Sequence, residues 1–329
     1  MTTLLVTESK YRFVPPHEGR IWPRMLGRFT PGFLKWKYGI TDIEIRGEEK
    51  LSRLLKAGQG ILLAPNHCRM SDALVLQSLS NRTRQPFFVM ASSHLFRGSR
   101  FLSWVLRRLG GFSVYREGID RQAIQKGIDI LVGGQRPLVL FPEGALSQSN
   151  DHLNTLQEGV SFIARAAASK LERAGAQTDE AGRHRVYAVP VAIRYLYRGD
   201  IETTAGALLS RIEQRLSWRP VENQGLVERI YRVGNALLSL KEQEFLGHIQ
   251  EGELDDRLNR LVDHLLGPLE TEWLGGVRPG SVIARVKDLR RAILPDLIEK
   301  DLSSAERDRR WRQLTDAGLA QSLSLYPAR

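Results

Sequence analysis

Four short apolar runs, each closed by a proline or a polar turn, limit what this chain can fold into: ILLAP (61–65), PFFVMA (86–91), PLVLFPEG (137–144) and VYAVPVAIRY (186–195). Runs of that length without polar alternation are the pattern of strands covered on both faces. Between them lie stretches of helical periodicity, each with its own stop. EEKLSRLLKAG closes at Gly58, ALVLQSLSN follows the N-cap candidates Ser71 and Asp72, GIDRQAIQKGIDILVGG ends at paired glycines, and LQEGVSFIARAAASKLERAG ends at Gly175. FSVYR (112–116) and IEIRG (43–47) add strand-like segments, and VYAVPVAIRY, apolar throughout, reads as a central strand. The alternation predicts an α/β fold over residues 41–200, a mixed, largely parallel sheet covered by helices.

Outside that region the pattern changes. From 201 to 329 the chain reads as successive amphipathic helices without strand signal or an evident fixed-period repeat, an α-helical extension whose stripe Leu254, Leu258, Leu261, Leu265 and Leu269 is core. After AQTDEAGRH, a polar linker, comes the last strand of the α/β part. Residues 1–40 form an amino-terminal segment in which Trp22, Met25, Leu26, Phe29, Phe33, Leu34, Trp36 and Tyr38 interleave with Arg24, Arg28, Lys35 and Lys37. Such interleaving suits a membrane interface, where rings insert at headgroup level and cations meet anionic lipid, and equally suits packing onto a core; Pro23 and Pro31 break any long helix. SHLFRGSRFLSWVLRRLGG (93–111) is a second basic amphipathic stretch.

A formal charge of +11 implies an anionic partner, and the absence of any recognised nucleic-acid motif turns that expectation from nucleic acid to lipid or a phosphorylated small molecule. Cys68 is the single cysteine, which excludes an internal disulfide framework, fits a reducing cytoplasmic compartment and, with few histidines, leaves no metal site expected. MTTLLVTESKYRF lacks the basic start and apolar length of a signal peptide, and no apolar stretch reaches the roughly 18 residues needed to span a bilayer. Peripheral association with a membrane surface is therefore the expectation.

Chemistry concentrates at NHCRMSD (66–72), directly after the first apolar run. His67 would sit at the carboxyl end of a strand and Asp72 in the first turn of the next helix, where it can fix the imidazole tautomer and leave the other ring nitrogen free as a base. An isolated His/Asp pair is more often structural than catalytic. Three later segments shift that balance: GGFSVYR (110–116), FPEG (141–144) and VPVA (189–192) follow in order.

Together these four segments resemble the glycerolipid acyltransferase family, the lysophosphatidate and glycerol-3-phosphate acyltransferases with their NHxxxxD signature. The resemblance covers residues 40–200 and implies the glycerol-3-phosphate acyltransferase-like fold. It implies His67 as general base with Asp72 as its partner, Arg116 as the ligand of the acceptor's phosphate, and Glu143, Gly144 and Asn66 in acceptor binding and site architecture, with Glu143 equally suited to anchoring its turn. Acyl-CoA or acyl carrier protein is the implied co-substrate, no cofactor is needed, and the implied acceptor is a lysophospholipid, 1-acyl-glycerol-3-phosphate first, in phospholipid biosynthesis. A thioester arrives activated, so no acyl-enzyme is required and Cys68 is a bystander. Two departures bear on the acceptor: Ala145 and Leu146 stand where the family often has Thr-Arg, and Ser113 stands where a large apolar residue is common. Alternatives are a CoA-independent transacylase between phospholipids and a non-catalytic basic protein of the membrane surface.

Overall fold

The computed structural model describes residues 11–175, 184–216, 218–219 and 224–325, so the first ten residues and most of the linker at 176–184 lie outside it. The described residues divide into two compact units, one ending at Arg194 and one beginning at Tyr195.

The first unit is an α/β sandwich. Its elements in order are α1 (Ile21–Gly27), α2 (Thr30–Tyr38), α3 (Glu48–Lys56), β1 (Gly60–Pro65), α4 (Asp72–Thr83), β2 (Phe88–Ser92), α5 (Arg100–Arg108), β3 (Gly111–Val114), α6 (Arg121–Gly133), β4 (Leu138–Val139), α7 (Gly159–Arg173) and β5 (Val186–Val191). All five strands run parallel in the order β3-β2-β4-β1-β5. Leu62, Phe88, Met90, Phe112, Leu131, Leu138 and Ile163 form the buried cluster that joins the sheet to α6 and α7. Gly127 on α6 faces Leu138, Met90 and Ile163, so a helix can lie close on the sheet there. A second close approach sets the turn into β3. Gly110 has φ +96, and a Cβ would stand 2.3 Å from the Phe87 carbonyl oxygen, so only glycine fits.

Two strand expectations are corrected. Residues 43–46 form no strand, because IEIRG has no neighbour to pair with. The VPV segment is an edge strand, not a central one: β5 pairs only with β1, and Ala188 and Pro190 are exposed. Proline lacks the N–H a central ladder needs, so Pro190 was the signal for an edge.

The amino-terminal residues close the opposite edge. The Ser113 N–H donates to the Val14 carbonyl (3.0 Å), and the Ser113 hydroxyl accepts from the Val14 N–H (2.8 Å) and lies 2.9 Å from the Tyr11 hydroxyl. Tyr11 also donates to Asp120 (2.6 Å), which caps α6 through the Ala123 N–H. The small polar residue at 113 is therefore what fastens the strap to β3; a large apolar side chain would leave Val14 N–H without that acceptor.

The second unit contains α8 (Ile201–Arg215), α9 (Leu226–Leu246), α10 (Leu254–Leu274), α11 (Val282–Glu299) and α12 (Ser304–Leu323). Here a period does exist. Helices α9, α10 and α11 begin at Leu226, Leu254 and Val282, 28 residues apart, and each carries an arginine as its fourth residue: Arg229, Arg257 and Arg285. Each arginine reaches back to a buried carboxylate on the preceding helix. Arg229 donates to Glu213 (2.8 Å), Arg257 to both oxygens of Glu242 (2.9 and 2.6 Å), and Arg285 to both oxygens of Glu270 (2.8 and 2.9 Å). Ser210 and Ser239 accept from the first two arginines in equivalent places, both at 2.9 Å. The apolar positions between clamps vary in identity, which hides the period from a search for similar residues. Leu261, Leu265 and Leu269 are core, as their spacing predicts.

Hydrogen bonds from Arg257 hold the Glu242 carboxyl below the usual carboxylate range, and those from Arg229 do the same for Glu213. A lowered folded pKa means the contribution is full above the unfolded value and is lost as pH falls through the folded one. The helical unit should accordingly lose stability on acidification below the ordinary carboxylate range. Glu242→Gln leaves the buried Arg257 without its counter-charge, at a cost of about 3 kcal/mol for a broken buried ion pair. A urea midpoint unchanged in that variant would show that the clamp does not hold the helices.

Candidate functional site

The residues implicated by sequence, apart from Asp72 on α4, follow the carboxyl ends of strands, the edge where ligands bind in parallel sheets. Asn66 and His67 follow β1, Arg116 follows β3, and Glu143 and Gly144 follow β4.

His67 is positioned through its ring and its backbone. Its Nδ1 lies 2.8 Å from Asp72 Oδ2, and the same oxygen accepts from the Arg69 N–H at 2.9 Å. Asp72 is fully buried at the first residue of α4, with Ser71 as N-cap position, so the carboxylate cannot swing away. Facing an acceptor-only carboxylate, Nδ1 carries the ring proton, and Nε2 presents its lone pair. Nε2 has no hydrogen-bond partner among the described residues, and the side chain is 22% exposed. The imidazole stacks on Phe141 with ring centroids 4.0 Å apart, which fixes its plane.

The backbone of the same residue is held by the FPEG turn. Glu143 is fully buried, with Oε1 accepting from the His67 N–H (2.6 Å) and Oε2 from the Asn154 N–H (2.9 Å). Ser147 N–H donates to the His67 carbonyl at 2.7 Å. Both oxygens of Glu143 are thus engaged by main chain, which is the anchoring role and leaves no carboxylate face for an acceptor. Gly144 adopts φ +66, a left-handed turn that favours glycine, and its carbonyl accepts from the Arg116 guanidinium.

Asn66 is likewise committed to the main chain. Its Oδ1 accepts from the Ile193 N–H (2.6 Å) and its Nδ2 donates to the Ile193 carbonyl (3.0 Å), tying the ends of β1 and β5 as a peptide unit would. The same Nδ2 lies 2.9 Å from Cys68 Sγ. That thiol is buried, and burial followed by the nearby Asp72 charge pushes its pKa up, so it stays protonated and unreactive.

Arg116 extends into the open beside the FPEG turn, with a guanidinium whose other donors have no partner among the described residues. Sequence reasoning did not single out Asn154 and Ser147, which carry the anchoring turn, or His94, which follows β2 on the same edge. The last sits in a short 3-10 turn, Ser93–Phe96, that begins where β2 ends. No group of three or more His, Cys, Asp or Glu side chains among the described residues is placed to hold a metal ion.

A buried carboxylate orients an imidazole at the carboxyl edge of the parallel sheet, and the Arg116 guanidinium lies on the same edge against the Gly144 carbonyl. Residues 42–194 match the family model described as Acyltransferase, and this α/β unit is an acyltransferase-family domain. The chain is similar to a 1-acyl-sn-glycerol-3-phosphate acyltransferase of Streptococcus pneumoniae (strain ATCC BAA-255 / R6), with 31% identity over 107 residues. That stretch is 32% of this chain and 37% of the streptococcal protein, so the chain spans little more than a third of that relative's length. No solved structure matches the chain.

The buried thiol gives this geometry a direct check. Cys68 should resist an aromatic disulfide reagent in the folded protein and react with one equivalent after urea unfolding. Rapid native labelling would mean that the β1–α4 turn opens and that the clamp from Asn66 is weak.

Proposed function

We propose that this protein is an O-acyltransferase that moves a fatty acyl group from acyl-CoA or acyl carrier protein to a hydroxyl of a lysophospholipid, with His67 as general base. The observation that carries the reading is the fixed tautomer of His67, with Nε2 free at the carboxyl edge of an acyltransferase-family domain. Nε2 takes the proton of the acceptor hydroxyl as the oxygen attacks the thioester carbonyl. The tetrahedral intermediate collapses by breaking the C–S bond, and the departing thiolate recovers the proton from the imidazolium. Ester and free thiol are the products. Cys68 takes no part, and Arg116 holds the acceptor's phosphate through the donors that Gly144 does not occupy.

The lipid-facing surface supports work at a membrane. Ile21 on α1, Phe29 just before α2 and Trp36 on α2 are each 70% exposed or more, as is Phe101 on α5. Exposed Arg24, Arg28, Lys35, Lys37, Arg100 and Arg107 stand among them. Trp22 and Trp104 meet edge to face at 5.1 Å and share Arg108, whose guanidinium lies 5.1 and 5.4 Å from the two rings, so α1 and α5 form one surface. Large exposed rings have no stabilising role in water, and cations around them favour an anionic bilayer. No helix among the described residues is long and apolar enough to cross a membrane, and the proposed association is peripheral.

Free-thiol release from acyl-CoA and acyl carrier protein with a panel of lysolipids tests the reaction. His67→Ala should abolish release, and Asp72→Asn should lower kcat by about 10³-fold or more by spoiling the tautomer. Undiminished release by His67→Ala would refute the assignment, and acyl exchange between phospholipids without any thioester would point to a transacylase. Flotation with anionic vesicles should weaken in Phe29→Ser/Trp36→Ser and at high salt.

A further inference from the structure

The α/β unit holds a second cluster of cations, away from His67. A recess of about 510 Å³ opens between α1 and α4, and Arg24, Arg28 and Arg84 line it together with Gln77, Ser80 and Asn81. Its position follows from the course of α4. That helix begins at Asp72, beside the imidazole, and ends at Thr83, so Arg84 stands about 18 Å further along it. Pro86, on the wall of the recess, precedes β2, which puts the recess at the amino edge of the sheet, opposite the edge that carries His67.

Three rows of side chains, each spaced by four residues, give α1 and the turn after it three faces. Pro23 and Gly27 form the buried row. Gly27 lies so close to α4 that a Cβ would stand 2.6 Å from Asn81 Oδ1, and its carbonyl accepts from Asn81 Nδ2 at 3.0 Å. Arg24 and Arg28 form the next row, on the recess, and the exposed Ile21, Met25 and Phe29 form the row beyond. Cations thus stand between a polar floor and an apolar outer stripe. From α4 comes Arg84, its C-cap residue, at φ +56, a left-handed position that Gly39 and Gly134 fill at the ends of α2 and α6. An arginine is held there at a conformational cost that glycine would not bear. Arg24, Arg28 and Arg84 make no side-chain hydrogen bond or ion pair among the described residues, and no carboxylate is among the residues that line the recess.

We infer that this recess binds the phosphomonoester headgroup of a lipid, as a site separate from the one beside His67. The inference rests on the peripheral-membrane reading above, which supplies the bilayer that presents the lipid. Guanidinium forks meet phosphate oxygens bidentately, and Asn81 keeps one amide N–H for a further bond. A phosphomonoester carries a charge of about −1.5 to −2 at pH 7 and engages more than one of three unpaired arginines, whereas the single charge of a diester leaves the others unanswered. Soluble esters offer the same phosphate. The exposed row of Ile21, Met25 and Phe29 beside the cations favours the lipid-borne one, because acyl chains can lie along it.

Dihexanoyl phosphatidate, kept below micelle formation at fixed salt, tests this by titration into the Arg116→Ala protein, which removes the phosphate contact proposed beside His67. Binding should persist, and adding Arg84→Gly should weaken it about tenfold or more. Glycine suits the left-handed position, so the urea midpoint of that variant should equal or exceed the parent's, and its lost binding is then not lost fold. Arg24→Gln/Arg28→Gln should weaken binding likewise, while Lys35→Gln/Lys37→Gln, which removes as much charge from α2, should change it less than about twofold. Glycerol 3-phosphate and dihexanoyl phosphatidylglycerol should each bind about tenfold more weakly than the phosphatidate. Binding unaffected by Arg84→Gly or by the α1 pair, or lowered equally by the α2 pair, would overturn the inference. Glycerol 3-phosphate or the diester binding as tightly would overturn the assignment to a monoester lipid. Failure of the membrane reading shows separately, as absence of flotation with anionic vesicles, since the titration uses no bilayer.

Discussion

The site depends on one carboxylate that is turned wholly to the main chain. Glu143 is withdrawn from water and divides its two oxygens between the His67 and Asn154 backbone N–H groups. A hydrogen bond to an ionised acceptor is about twice as strong as a neutral one, and leaving such a group half-bonded in the interior costs more than forming it gains. The loop after β1 and the loop after β4 are therefore held as one piece. Asp72 can orient the imidazole only because the main chain of His67 is fixed independently. With the ring hinged on a loose turn, the 2.8 Å contact would fix a tautomer but not a direction.

The sheet order explains why these loops meet. β4 lies between β1 and β2, so the FPEG turn emerges directly beside the His67 turn although 76 residues separate His67 from Glu143. β4 itself has only two ladder residues, Leu138 and Val139, because Pro137 precedes it and Pro142 lies shortly beyond. Shortness is tolerated in a central position because both residues pair on both sides, with Leu62 and Leu63 of β1 and with Phe88 and Val89 of β2. The edge that carries His67 and the FPEG turn is thus brought together by the least regular strand of the sheet.

Much of this was legible in the sequence, and the misses share a cause. Helix stops at Gly58, Gly134 and Gly175 are local chemistry, since a left-handed residue is written as glycine whatever surrounds it. Strand rank is not local. VYAVPV is apolar enough for a sheet centre, and only the missing N–H of Pro190 told of an edge. The role of Ser113 was invisible for the same reason, because its partners Tyr11 and Val14 lie about a hundred residues away. The site pair was readable as a spacing, His67 to Asp72, whereas the substrate-facing look of Asn66 and Glu143 concealed side chains turned to the main chain. The 28-residue period was hidden because few positions besides the arginine and the carboxylate recur, while the core between them is filled by any apolar residue of suitable size.

Net charge acquires its meaning only when the arginines are sorted by what they touch. In the helical unit Arg229, Arg257 and Arg285 are buried against carboxylates and project no field. Arg136 is buried as well, stacked 3.8 Å over the Phe88 ring and donating to the Pro86, Phe87 and Glu18 carbonyls, where desolvation pulls its pKa down to about 10. Such arginines are cross-links whose charge is incidental. Those on α1, α2 and α5 stand in water among exposed rings and act outward. A formal charge of +11 thus overstates the attraction for anions in general and understates how local it is. On α1, α2 and α5 positive charge stands beside exposed rings, the pairing on which the proposed membrane association rests.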